Sequence, residues 1–424
     1  MEKSRKRFKQ NGGKLTKQDF IAGLDIGTSK VATVVGARKE DGSIDIIGTG
    51  IAPSSGLRKG MIVDLEETIT AISESVEQAE RVSGIAIDSV YASVGGSHID
   101  SQNSKGVIAV SRADGEICEE DISRVIEAAH AVSMPTNREV IHTIPRIYTV
   151  DGQENIKDPI GMTGIRLEVD AHVISVSSPC IKNITKCIYQ AGLNINEIIF
   201  SGLASSSLLL NKQQKEIGVV LADIGWATTT IAVFEEGDIM HSAVIPIGSM
   251  HITNDIAIGL KTSVETAEII KLRYGAGSVE DIKKDEKIDL ARIDKNENQK
   301  IEKSYLAEIV EERLKEIFEL IQEELKKIKR EGNLPAGIIL TGGGSKMPDI
   351  DKAAKKYLEI PASIGKIQEE ISGLVDRVED PVYSCSAGLI VWAAKGSVEN
   401  FSKTSFSAKD LGGKIKDFFK NFSS

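Results

Sequence analysis

The chain has 424 residues, 41% of them hydrophobic and only 4% aromatic, with 52 basic side chains against 62 acidic ones and a net charge of −10. At roughly 100–200 residues per domain this length holds about two to four domains, and the composition excludes a disordered or fibrous chain. Residues 1–17 carry seven basic groups against one acid and residues 409–424 carry four against two, so the acidic excess lies in the body. That argues against nucleic acid as a partner, while both ends suit anionic phosphates.

The start, MEKSRKRFKQNGGK, is basic with no hydrophobic segment behind it, and reads as a tail (1–17) rather than a secretory signal. No apolar run reaches the ~18–20 residues of a membrane span. The cysteines Cys118, Cys180, Cys187 and Cys385 make no CxxC pair and the histidines no HExxH. Reduced cytosolic thiols without a structural metal are expected.

FIAGLDIGTSKVATVVG, from residue 20, is an apolar run, a polar turn and a β-branched run, the pattern of a hairpin. A third strand, 43–52, and a helix follow. In the helix Leu65, Ile69, Ile72, Val76 and Ala79 recur at helical spacing, and Asp64 with Glu67 forms a candidate capping box. The turn Asp25-Ile26-Gly27-Thr28-Ser29-Lys30 offers backbone N–H groups, two hydroxyls and a cation, the elements of a phosphate cradle. Asp25 fits such a cradle when a hydrated Mg²⁺ lies beside it. A plain β-turn is the competing reading of this segment alone.

Residues 87–163 then interrupt the pattern with the short strands SVYASVGG, GVIAVS and VIHTIPRIYTV and one helix near 119–132, enough for a small α+β subdomain. The first lobe resumes at RLEVDAHVISVS. VVLADIGWATTTIAVFE, from 219, repeats the hairpin with Asp223 in the place of Asp25, and a third strand follows at 238–247. Such a repeat predicts two related lobes with a cleft between them. Residues 275–303 are almost entirely polar and read as an exposed insertion. Leu306, Ile309, Val310, Ile317, Ile321 and Ile328 then mark an amphipathic helix, either packed singly or in a coiled coil. AGIILTGGGSKMPDI reads as a buried strand, a loop of Gly342, Gly343 and Gly344 that lets backbone lie flat against a base or ribose, and a helix with Pro348 in its first turn.

The paired DIG turns and the TGGG loop resemble the actin/Hsp70/sugar-kinase ATPase superfamily. More closely, DIGTSKVATVVG, SVYASVGGSHI, IIFSGLASSSLLL, VIPIGSMHITNDIA, AGIILTGGGSKM and DPVYSCSAGLIVWA resemble, in order over residues 18–395, the FtsA cell-division family. The resemblance implies an α/β, actin-like two-lobed ATPase fold with duplicated mixed sheets. Residues 18–86 with 164–203 would form the first lobe, 87–163 an inserted α+β subdomain, 204–247 with 332–395 the second-lobe core, and 248–331 its subdomain. It also implies an ATP site with Mg²⁺ held through water by Asp25 and Asp223. Asp25, Gly27, Thr28, Ser29 and Lys30 match the first phosphate motif, and Asp223, Gly225 and Thr228 the second. Gly342, Gly343, Gly344 and Ser345 match the adenosine motif. Glu268 and Lys271 match an E-x-x-K pair that holds ribose and adenine, or else form a solvated pair on a helix.

The chain departs from the family's usual DIGGGT at Trp226 and Ala227, where an indole would restrict close backbone approach to phosphate. IIFSGLASSSLLL holds no carboxylate or glutamine to orient an attacking water. Weak hydrolysis and a role as a conformational switch are therefore expected, with no catalytic residue assigned.

After Trp392 a polar, serine-rich stretch (396–410) reads as a linker. In the segment 411–424, Ile415, Phe418, Phe419 and Phe422 share one helical face, with Lys414, Lys416 and Lys420 around it. An apolar face with a basic rim is the pattern of a helix lying in a membrane interface, against docking on the body as the alternative. By resemblance the protein is a peripheral protein on the cytoplasmic face of the membrane at the division site. It would form actin-like filaments, bind anionic lipids, anchor the FtsZ C-terminal tail and meet later division proteins during septum assembly. Arg313, on the helix after the polar insertion, is a candidate FtsZ contact or a plain surface charge. The rival functions are an actin-fold pilus-assembly scaffold, a small-molecule kinase or a chaperone ATPase. A kinase needs an acidic base near an acceptor hydroxyl, and a chaperone needs a further β-domain.

Overall fold

The computed structural model describes residues 20–396 apart from 40, 132–134, 281, 284–285 and 294–298. The basic tail 1–17 and the amphipathic segment with Lys414, Ile415, Lys416, Phe418, Phe419, Lys420 and Phe422 lie outside the described residues, as does the linker beyond 396.

Strand Lys30–Arg38 is buried at every interior position, as a strand covered on both faces requires. It sits between Phe20–Ile26 and Ile44–Pro53 in an antiparallel meander, and Ser89–Val94 and Asn194–Phe200 join the Phe20–Ile26 edge in parallel. The second sheet repeats this order. Asp238–Ile245, Thr229–Glu235 and Val219–Ile224 form its meander, and Ile338–Thr341 and Ala362–Ile364 its parallel strands. The duplication read from the two DIG segments is thus a duplication of topology.

Helix Leu65–Ser83 covers the first meander, burying Ala71, Ile72, Val76 and Ala79. Asp64 caps it by accepting the Glu67 N–H at 3.1 Å. The reciprocal half of the expected capping box does not form, because the Glu67 carboxylate accepts the Ser55 hydroxyl instead.

Helices Ser201–Leu209 and Ser384–Gly396 pack on each other between the two sheets. Their sequences, SGLASSSLL and SCSAGLIVWAAKG, make this possible through small residues: a Cβ at Gly388 would collide with the Ala204 carbonyl. Helix Ser384–Gly396 is apolar nearly all round and so needs cover on every side. It finds that cover on the first hairpin as well as on the second half. Strand Ile371–Gly373 likewise pairs in parallel with Ile44–Ile46. The end of the range 332–395, read from sequence as second-lobe core, therefore crosses back to the first lobe.

Two further sequence readings change. Strand Arg166–Ser177, assigned to the first lobe from residue 164, pairs along its whole length with Ile99–Ala109 and Arg138–Val150 in the inserted sheet. Its Leu167 and Val169 join the insertion's core with Val125 and Ile126, while its Ile174 and Val176 enter the first-lobe core. One long strand serves two cores, so the boundary lies near 177 rather than 163. The polar stretch 275–303 is not simply exposed. Lys287–Asp289 pairs with Lys300–Glu302, and Ile288, Leu290 and Ile301 are buried in the second-lobe core.

Helix Lys303–Lys327 packs as a single helix on Ser249–Leu260 and Ile350–Leu358, with Leu306, Val310, Leu314, Ile317 and Ile321 buried. No helix among the described residues is long and apolar enough to cross a membrane.

Candidate functional site

Both DIG segments turn the chain in the same way. The Gly27 N–H donates to the Lys30 carbonyl and the Gly225 N–H to the Thr228 carbonyl, each at 2.9 Å. Asp25 and Asp223 occupy equivalent register positions, opposite Ala32 and Thr230. The pseudo-symmetric sheets aim the two turns at one cavity of about 360 Å³. The glycine loop forms another wall. Gly342 has φ +81, and a Cβ there would collide with the Asp223 carboxylate and the Ile224 carbonyl. Only glycine meets both demands. Past it a 3₁₀ turn, Gly343–Lys346, precedes the helix Ile350–Leu358, so Pro348 lies before the Asp349 cap instead of in the first helical turn.

Asp25 accepts the Ser93 hydroxyl at 2.6 Å, and Asp223 lies 3.5 Å from the Ser205 hydroxyl. Burial, and then the Asp25 charge, raise the Asp223 carboxyl to about 6. Lys30 sits within the field of Asp25, Asp223 and Asp380, yet burial outweighs these charges and lowers its pKa. Its ammonium donates to the Val382 carbonyl at 2.6 Å. The Thr28 hydroxyl oxygen accepts the Gly60 N–H at 3.0 Å. Burial also pushes the Cys385 thiol, on the cavity wall, well above its ordinary range. Two carboxylates thus converge beside one hindered cation, a donor set suited to a hydrated, oxygen-bound dication that keeps most of its waters. Among the described residues no cluster of three or more metal-ligating side chains exists.

Glu268 and Lys271 also line the cavity. They are not a solvated pair: the Lys271 side chain is 5% exposed, its ammonium 2.7 Å from Glu268 Oε2 and 2.8 Å from the Thr253 hydroxyl. The Ser249 carbonyl lies 3.4 Å from the same ammonium. Burial lowers the Lys271 pKa against the opposing pull of Glu268. With these three acceptors Lys271 is committed, and Glu268 is the member of the pair with an oxygen, Oε1, that has no hydrogen-bond partner among the described residues. The Trp226 ring lies under Lys271, with Nζ 4.9 Å from its centroid. The indole faces Lys271, and Gly225, Trp226, Ala227 and Thr228 all line the cavity.

Asp25, Gly27, Thr28, Ser29, Lys30, Asp223, Gly225, Thr228, Glu268, Lys271, Gly342, Gly343 and Gly344 all line this one cavity. Ser345 does not: it is buried, and its hydroxyl donates back to the Gly342 carbonyl at 2.8 Å. Sequence reasoning missed Gly60, Ser93, Lys346 and Cys385, which distant segments bring to the wall. Only Lys346, two residues past the glycine triplet, had a local signal. Arg313 lies in a separate groove of about 570 Å³ with Asp255, Glu308, Glu312 and Glu316. It is not a free surface charge, since it forks onto Asp255 at 2.5 and 2.8 Å and also pairs with Glu316.

The family profile "Cell division protein FtsA" matches residues 220–388, and "SHS2 domain inserted in FTSA" matches residues 96–175. Cell division protein FtsA of Pseudomonas aeruginosa is 40% identical over 383 residues, 90% of this chain and 91% of that one. FtsA of Bacillus subtilis is 38% identical, over 90% and 85% respectively. Among solved structures, a PilM–PilN type IV pilus biogenesis complex aligns at TM-score 0.65 with 14% identity, covering 88% of this chain and 98% of that chain. MreB5 of Spiroplasma citri bound to ADP aligns at TM-score 0.53 with 15% identity, covering 91% and 100%. At such identities the structural likenesses report an actin-like fold, and the relatives favour neither the pilus-scaffold nor the kinase alternative.

Proposed function

The chain belongs to the FtsA family of cell division proteins, and from that premise we propose that it is an ATP-binding, filament-forming adaptor that tethers FtsZ filaments to the inner membrane face at the division site and helps recruit later division proteins. The observation that carries the nucleotide half of this reading is the convergence of two equivalent aspartate turns and a glycine loop on one cavity.

In that reading the backbone N–H groups of both turns, with Ser29, Thr28 and Lys30, hold the phosphates. Glu268 takes the ribose, and the glycine loop lies along the adenosine. Asp25 and Asp223 hold Mg²⁺ through its waters, and the ion supplies charge neutralisation between phosphate and carboxylate. MreB5 has been solved with both ADP and AMPPNP, which supports an adenine nucleotide in this fold. Helix Ser201–Leu209, beside Asp223, contributes serine hydroxyls and no carboxylate or glutamine to orient an attacking water. Turnover is therefore slow, and the nucleotide acts by holding the two lobes in one relation.

The membrane half rests on the sequence of 411–424, whose phenylalanine face and lysine rim suit anionic lipid. Each short helix binds weakly, and polymerisation strengthens attachment by ~10²–10⁴ through multivalency. The FtsZ tail is assigned to the groove containing Arg313. Because Arg313 is neutralised by Asp255 and Glu316 and Lys315 pairs with Glu312, these side chains shape the groove, and the acidic surplus that includes Glu308 and Glu319 favours a tail with basic side chains.

The test is recruitment of FtsZ filaments to vesicles containing anionic lipid. The full chain with MgATP should carry FtsZ into the floating fraction, and a version truncated before Leu411 should leave both proteins at the bottom. Equal flotation of the truncated chain would remove the membrane assignment, and flotation of this protein without FtsZ would remove the tether.

A further inference from the structure

Trp226 is one of only two tryptophans in the chain, and it stands in the turn that carries Asp223. Its backbone is pinned. The Trp226 carbonyl accepts the Met250 N–H at 2.8 Å and the Gly225 carbonyl the Ser249 N–H at 2.9 Å, tying the turn to the first residues of helix Ser249–Leu260. Its side chain is pinned by Lys271, whose ammonium lies 4.9 Å from the ring centroid and is itself held by Glu268 and Thr253. A cation so thoroughly removed from water gains more from an aromatic face than an exposed one does. Trp226 is therefore a fixed residue of the wall that Glu268 also lines, with its ring against Lys271.

We infer that Trp226 is the specificity-determining residue of the cleft, the surface against which the sugar–base part of a nucleoside phosphate packs. The inference rests on the reading of the cleft as a nucleotide site and deepens it. A ligand whose phosphates lie at the Asp25 and Asp223 turns and whose ribose reaches Glu268 Oε1 shares the cavity with Trp226, which follows Asp223 in the second turn and whose ring lies against Lys271, the partner of Glu268. Aromatic stacking tolerates any base and gains nothing from a bare phosphate chain. The discrimination it provides is nucleoside triphosphate over inorganic polyphosphate, rather than one purine over another.

The test uses the full chain carrying Trp392→Phe, which leaves Trp226 as the sole tryptophan. Trp392 lies away from the cavity, its indole N–H 3.4 Å from Glu197. Emission is followed while MgATP, MgGTP or magnesium tripolyphosphate is added, and calorimetry measures binding separately. Both nucleotides should shift the emission and tripolyphosphate should not. Trp226→Ala should weaken ATP binding about tenfold with tripolyphosphate binding unchanged, and Trp226→Phe should keep ATP binding within about threefold. Calorimetric ATP binding with unmoved emission and an unaffected Trp226→Ala variant would overturn the role of Trp226 and leave the nucleotide reading standing. Equal loss of ATP and tripolyphosphate binding would make Trp226 a brace for the turn, which also overturns it. Absence of calorimetric binding to any of the three would instead overturn the nucleotide reading. Should Trp226→Ala fail to fold, the emission titration and Trp226→Phe still decide the matter.

Discussion

Replacing Asp223 with asparagine should stabilise the ligand-free protein and remove its response to nucleotide. The carboxylate ends strand Val219–Ile224, wedged against Gly342 and 3.5 Å from the Ser205 hydroxyl. Burial and the Asp25 charge raise its pKa from 3.8 to about 6. Because the folded value lies above the unfolded one, the contribution of this group to stability is fully present below pH ~4 and is lost as pH rises through about 6. Two pH units correspond to about 3 kcal/mol of cost at neutral pH. Asparagine cannot ionise, so Asp223→Asn should recover up to that amount at pH 7.5 and almost none at pH 4. An unfolding entropy of about 2.1 cal/mol/K per residue makes 1 kcal/mol worth ~1 °C in a chain of this length, so the expected rise in Tm is about 1–3 °C. The same change deletes one of the two charges assigned to Mg²⁺, so the Tm increase that MgATP gives the parent protein should vanish. Differential scanning fluorimetry at pH 4, 6 and 7.5, with and without MgATP, measures both arms. A variant less stable than the parent at pH 7.5, or one that keeps the full MgATP shift, would refute the reasoning.

Gly342→Ala should destabilise the fold by about 1–3 kcal/mol and abolish the nucleotide-dependent shift, since the added Cβ meets Asp223 in a backbone conformation that side chains disfavour; a well-folded variant with unchanged ATP affinity would contradict the close fit of the loop. Burial holds His98 and His142 at about 4 and His172 at about 3. Their folded values lie below the unfolded 6.5, so the unfolded chain takes up protons first, and each group removes up to about 1.4 kcal/mol of stability per pH unit as pH falls below 6.5. Asp223 works in the opposite sense between pH 6 and 4 and offsets about one of them. Urea unfolding at pH 7.5, 6 and 5 should show this fall, and His172→Gln, which keeps a polar partner for Ser242 and Asn103, should flatten it. An unchanged slope in that variant would remove His172 from the account.

Much of the site was legible because a duplicated backbone device leaves a duplicated local signature. An apolar run, aspartate, isoleucine and glycine specify a strand ending in a tight turn, and the same bond from Gly27 to Lys30 and from Gly225 to Thr228 closes both copies. The triple glycine after a buried strand was equally local, since it encodes a positive φ at Gly342 and a close approach to Asp223. Ser345 shares that motif, yet its hydroxyl turned inward to the Gly342 carbonyl of its own loop, an orientation that spacing does not record.

What tertiary structure alone decided were relations between segments far apart in sequence. Ser93, Gly60 and Cys385 reach the cavity because sheet order and the crossing of two small-residue helices carry them there. Long strand Arg166–Ser177 joined the inserted sheet because both its edges found partners, and helix Ser384–Gly396 returned to the first lobe because a segment apolar nearly all round needs cover from both. The placement of the Trp226 ring was settled in the same way, against Lys271, forty-odd residues on. Local sequence determines what a segment prefers to be, whereas burial of its remaining surface and charge depends on partners that only the folded chain brings near.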